Sequence, residues 1–164
     1  MNQQYLKYLE RMYRILDELD KNPIEREFSL IWEKMHATSC AHFGRLLALR
    51  VGMDPELVAI ACLLHDIGRW YSGCQANHAA QGEVPVRRFL EETELSTDVK
   101  EQIVQAVIHH SDKQIIGADL EEIVKDADIL DCYCYGLMFK KPSHVARLER
   151  LLKSFGVITP LTEC

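Results

Sequence analysis

The chain has no apolar run long enough to cross a bilayer, which argues against a helical membrane span. Its opening residues, MNQQYLKYLERMYRILDELDK, lack the basic start, apolar core and small-residue cleavage site of a secretory signal. Six cysteines are present (Cys40, Cys62, Cys74, Cys132, Cys134 and Cys164), but none forms a Cys-x-x-Cys pair. Zinc-finger spacing is therefore missing, and a disulfide framework does not suit a chain of 164 residues. Four of the thiols fall in apolar helical patterns, where sulfur acts as a small hydrophobe. The reducing cytoplasm is the expected setting. There is also no dense Lys/Arg stripe, and the formal net charge is -6. Extended nucleic acid needs a basic face for counterion release, so that partner is not expected. Strands of alternating polarity, internal repeats and low-complexity linkers are absent as well.

What remains is helical period almost throughout, in a chain that is 48% hydrophobic and 27% charged, as ordinary globular domains are. The expected fold class is all-α, a single bundle of six or seven helices. The first helix carries Tyr5, Leu9, Met12, Leu16 and Leu19 on one stripe, expected to dock on the bundle itself. Asn22-Pro23 breaks the chain before a second helix with Met35, His36, Cys40, Phe43 and Leu47. Asp54-Pro55 opens a third, combining an N-cap with proline at the first helical position. A loop containing Gly68, Ser72 and Gly73 follows, then a helix from about His78 to Glu92. Asp98-x-x-Glu101 and Asp119-x-x-Glu122 resemble caps of the next two helices. Pro142-Ser143 opens the last, which Gly156 closes.

The dipeptide His65-Asp66 ends the apolar run Leu57–Leu64. Adjacent side chains diverge in mid-helix, so both can serve one centre only where the helix stops, and Gly68 follows at once. His36 shares the inward face of its helix with Cys40 and Phe43, so it needs a hydrogen-bond partner or a metal. His78, Gly82 and Val86 stand at successive i+4 steps, where Gly82 permits close approach of another backbone. His109-His110 closes a helix whose apolar face is Ile103, Val104 and Val107. Val124, Ala127, Asp128 and Asp131 cluster on one side of the next helix, where an aspartate is costly unless paired or metal-bound. Each position alone has a plain alternative: a satisfied core histidine, a helix end, a capping Asp128, a solvated Asp131. His42 and His144 fit no pattern and read as structural or surface residues. Imidazoles and carboxylates together suit a borderline divalent ion such as Mn, Fe, Ni, Co or Zn.

The stretch HATSCAHFGRLLALRVGMDPELVAIACLLHDIGRW, beginning at His36, and the later KDADILD, which supplies Asp128, resemble the HD-domain superfamily of metal-dependent phosphohydrolases. The resemblance covers residues 28–132. It implies one HD domain over 1–164, with a helix at 2–21 and another at 143–154 packed on that core. By the same resemblance His36, His65, Asp66 and Asp128 would hold one ion. Asp66 would bridge to a second ion bound by His78 and by His109 or His110. The other histidine of that last pair would donate a proton or touch phosphate, and Asp66, Arg69 and His110 are the candidate catalytic residues. Arg69 replaces the lysine of many relatives and is expected to contact a non-bridging phosphate oxygen, with Lys113 a second candidate. The glycine-tyrosine-proline loop of cyclic-di-GMP hydrolases is missing.

The resemblance implies a phosphohydrolase acting on a nucleotide or other small phosphate ester through metal-activated water, and a monomer or homodimer is expected. Two alternatives use the same residues: a di-iron oxygenase of the HD type, and a non-catalytic nucleotide-binding module.

Overall fold

Ser29 and Asp54 open the two helices around which the others are arranged. The Ser29 hydroxyl accepts from the Trp32 amide and starts α2 (Leu30–Val51), which Gly52 ends in the left-handed conformation at φ 77°. The Asp54 carboxylate accepts from the Glu56 amide and starts α3 (Pro55–Leu64). In the computed structural model, which describes residues 3–157, α3 is buried from Val58 through Leu64. It packs against α2, α7 (Thr97–His109) and α8 (Asp119–Cys134). An all-round apolar helix of this kind belongs at the centre of a bundle.

Around this centre stand α1 (Gln3–Asp20), α4 (Ile67–Ser72), α5 (His78–Gln81), α6 (Glu83–Glu91) and α9 (Pro142–Ser154). Seven of these helices are nine residues or longer, two are short, and no strand occurs among the described residues. The all-α bundle is thus as expected. Two local readings are corrected. The stretch after Asp66 is helical rather than a loop, and the expected helix from His78 divides at Gly82. The caps also differ: Ser96 accepts from the Val99 amide where Asp98 was expected, and α8 starts at Ala118 without a side-chain cap.

α1 docks on α2 and α3 through Tyr5, Tyr8, Met12 and Leu16, with Leu9 and Leu19 half-buried beside them. Residues 1, 2 and 158–164, including Cys164, lie outside the described part. No helix among the described residues is long and apolar enough to cross a membrane.

One close approach positions the site. A Cβ on Gly68 would fall 2.0 Å from the His78 carbonyl oxygen and 2.6 Å from the Gly82 nitrogen. Only glycine at 68 lets α4 lie directly against the α5–α6 junction, and that contact carries His78 toward His65-Asp66. The close approach expected at Gly82 is therefore present, with Gly68 as the opposing glycine.

Candidate metal centre

Four imidazoles converge from four helix segments. His36 projects from the second turn of α2, His65 caps the C-terminus of α3, His78 begins α5 and His110 caps the C-terminus of α7. All four are buried. The Nδ1–H groups of His65, His78 and His110 donate to the backbone carbonyls of Cys62, Gln75 and Val107, each at 2.7 Å. That of His36 donates to Asp131 Oδ2 at 2.5 Å. A carbonyl oxygen can only accept, so His65, His78 and His110 carry a proton on Nδ1, Asp131 orients His36 in the same way, and each imidazole in its neutral form presents the Nε2 lone pair inward.

Those lone pairs face one another. The Nε2 atoms of His36 and His65 are 3.1 Å apart, and those of His78 and His110 are 2.9 Å apart. Asp66 lies between the two pairs. Its Oδ2 is 3.3 Å from His36 Nε2 and 3.1 Å from His65 Nε2. Its Oδ1 is 3.0 Å from His78 Nε2 and 3.3 Å from His110 Nε2. Asp128 adds Oδ1 at 3.4 Å from His36 Nε2. Acceptors crowded in this way repel unless a cation sits among them, and the nitrogen–oxygen donor set suits a borderline divalent metal. Two groups have ligand atoms close enough to share an ion, His36–His65–Asp128 and His65–Asp66–His110.

Charge is arranged around this core. Burial by itself would raise the Asp66 carboxyl, but the Arg69 guanidinium and neighbouring imidazoles hold it well below the usual carboxylate range. Asp128 is buried too, and Lys113 holds it low in the same way. Burial lowers His110 to about 4, so its imidazole is neutral near pH 7. Burial also disfavours a charged His36, yet bonds to Asp128, Asp131 and Asp66 outweigh this and raise it.

The expected site residues therefore come together with one exception. His109 is turned away, its side chain 43% exposed and its Nδ1 3.5 Å from Glu121. It is not among the converging ligands, because successive residues at a helix end point in different directions. His110 takes the inward place, and with Nδ1 on the Val107 carbonyl its Nε2 faces the site as a ligand candidate. Arg69 does not reach freely into the cavity. It donates to both Glu33 oxygens at 2.8 and 3.0 Å, to Gln75 Oε1 at 2.7 Å and to Asp66 Oδ2. Lys113 is buried, not exposed, and bonds Asp128 Oδ2 at 2.5 Å.

Other residues of the site carry weaker signals in the sequence. Asp131 is fully buried against His36 instead of solvated, one helical turn beyond Asp128. Glu33 lies one turn before His36, and that spacing was the available clue to its inward position. His144 lines the cavity and meets the Phe139 ring at 5.7 Å, while His42 is exposed. The cavity itself has a volume of ≈ 330 Å³ and opens over Asp66 and Asp128.

Residues 35–133 match the HD domain family, covering all of the converging ligands. The chain belongs to that family. YueE of Bacillus subtilis strain 168, named as a candidate phosphohydrolase, is 28% identical over 126 residues, 67% of this chain and 72% of its own. Ribonuclease Y of Cutibacterium acnes is 29% identical over 119 residues, 71% of this chain but 20% of that enzyme. Among solved structures, a predicted HD superfamily hydrolase from an uncultured Thermotogales bacterium superposes with a TM-score of 0.62 over 95% of this chain and 96% of its own. At 18% identity this likeness shows a shared HD fold.

Proposed function

We propose that this HD-domain chain is a metal-dependent phosphohydrolase acting on small phosphate esters. The observation that carries the reading is the division of Asp66, with one oxygen turned to each histidine pair. His36, His65, Asp128 and Asp66 Oδ2 would hold one ion, and His78, His110 and Asp66 Oδ1 a second. When bound, such ions bring the pKa of coordinated water to ~7 and neutralise charge on a phosphoryl group.

The chain's own residues prepare that chemistry. The carbonyls of Cys62, Gln75 and Val107 keep three imidazoles in the tautomer that presents Nε2. Arg69 and Lys113 orient the two carboxylates, and each keeps its partner ionised. Arg69 and Ser111 line the cavity, the Ser111 hydroxyl lying 3.4 Å from both His78 Nε2 and His110 Nε2. Net hydrolysis joins the water oxygen to phosphorus and breaks the ester P–O bond. One water proton ends on the departing alcohol and the other stays on the phosphate product. The names of the relatives, a candidate phosphohydrolase and a ribonuclease, support a phosphate ester as substrate. The net charge of -6 supports a small ester over extended nucleic acid.

The test is a panel of phosphate esters and nucleotides assayed with chelator-treated protein resupplied with Mn, Fe, Ni or Co. Hydrolysis that needs the metal and disappears in a folded Asp66→Ala protein is expected, with metal content falling alongside. Absence of turnover for every ester with every metal overturns the reading.

A further inference from the structure

α2 is apolar on the side that faces away from the bundle as well as on the side that faces in. Ile31 is 71% exposed, Met35 45%, Leu46 60% and Leu49 66%. With His42, also exposed, they fall within about 60° of one another around the helix axis. The outward side of a surface helix ordinarily carries charge. Here no charged residue is exposed between Ile31 and Leu49. The two half-buried cations of that stretch lean off the stripe, Lys34 to Asp17 at 2.5 Å and Arg45 to Glu56 at 2.7 Å. Thr38 and Ser39 border the stripe on opposite sides. The Tyr13 hydroxyl shares a hydrogen bond with Thr38 Oγ1 at 3.0 Å, and Ser39 Oγ donates to the Tyr135 oxygen at 3.4 Å. Both tyrosines are more than a third exposed, so the patch widens onto α1 and the end of α8. Apolar surface of this continuity marks an interaction site.

We propose that the occupant of this face is a second copy of the chain, packed antiparallel along α2 about a two-fold axis level with Cys40. The order of the stripe reads nearly the same from either end. Reversed about that level, Ile31 meets the partner's Leu49 and Met35 meets the partner's Leu46. A two-fold contact requires each such pairing to be returned, and this stripe meets that condition. Thr38 and Ser39 then lie opposite the partner's His42, so polar groups face polar groups and fix the register. Charge at the ends favours the same sense. Glu25 and Glu27 are exposed before the first turn of α2 and Arg50 in its last, so antiparallel packing brings opposite signs together. From Ile31 to Leu49 the helix is about 27 Å long. With α1 and α8 packed about 8–10 Å to either side, the patch is on the order of 700 Å² per copy, close to the ~800 Å² that each partner gives to a standard interface.

Sedimentation equilibrium on the full chain tests this, with circular dichroism to confirm that each variant is folded. At micromolar concentration the wild-type protein should have twice the mass of one chain. Leu46→Glu sets a carboxylate against the partner's Met35 and should weaken the dimer about tenfold or more, with helix and metal content unchanged. Ile31→Lys and Leu49→Glu should each be monomeric alone. Mixed in equal amounts they should recover the dimer, because opposite charges then meet at one end of the contact and the native pair at the other. That recovery distinguishes the proposed register from a general loss of stickiness. A wild-type chain that sediments as a monomer, a dimer indifferent to Leu46→Glu, or a mixture that stays monomeric would each overturn the proposal, whatever the metal centre does.

Discussion

The Asp131 carboxylate receives the Nδ1–H of His36 at 2.5 Å, across 95 residues of chain. His65, His78 and His110 instead give that hydrogen to backbone carbonyls. A carboxylate partner raises the basicity of the opposite nitrogen more than a carbonyl does, so His36 is the strongest imidazole donor of the four. Asp131→Asn keeps a hydrogen-bond acceptor but removes the charge. It should weaken metal affinity by about 10–100-fold with the fold unchanged. Chelator competition on the folded variant measures this, and wild-type affinity would return Asp131 to a purely structural role.

Arg69 and Glu33 form a buried, two-pronged ion pair. Removing one partner strands the other, so Arg69→Ala should destabilise the protein by about 3–5 kcal/mol and also loosen Asp66. Combining it with Glu33→Gln should recover part of that stability without restoring metal affinity. Denaturant midpoints of the single and double variants, compared with their metal contents, separate the two effects.

Gly68→Ala puts a methyl group where the His78 carbonyl and the Gly82 amide already stand. The overpacking should cost about 1–3 kcal/mol and move α5. Because only the second histidine pair depends on α5, metal stoichiometry should fall toward one ion per chain while the His36–His65–Asp128 group keeps its own. Elemental analysis after dialysis counts the ions. An unchanged count would mean that the α4–α5 contact does not place His78.

Met12 on α1 is fully buried although it lies outside the family match. Met12→Ala should therefore cost about 2–5 kcal/mol, as large-to-small changes in a well-packed core do. Metal content per folded molecule should not change. A midpoint equal to that of the parent would show that α1 is not integral to the bundle.

Helical period was legible residue by residue, and cap chemistry only in part, since Ser96 replaced Asp98 and α8 has no side-chain cap. Asp54-Pro55 opened its helix as written, and His65-Asp66 stands at a helix end because the apolar run stops there. The misread segments are those where a short-range signal competed with packing. Glycines at 68 and 73 suggested a loop, but Gly68 lies inside α4, where it permits contact with α5, and Gly73 ends that helix. Gly82 divided a helix that periodicity alone carried through.

From residue order alone came the all-α class, the inward His36, the paired residues at 65 and 66, and Asp128 on the face it occupies. These depend on spacing along one helix, which 3.6 residues per turn makes local information. Tertiary structure decided the rest: His110 over His109, burial of Asp131 and Glu33, Lys113 held by Asp128, and Arg69 tied down instead of free. Each of those outcomes is a distance between groups on different helices. Such distances are set by how neighbouring helices pack and by which carbonyl each imidazole finds, neither of which a local pattern contains.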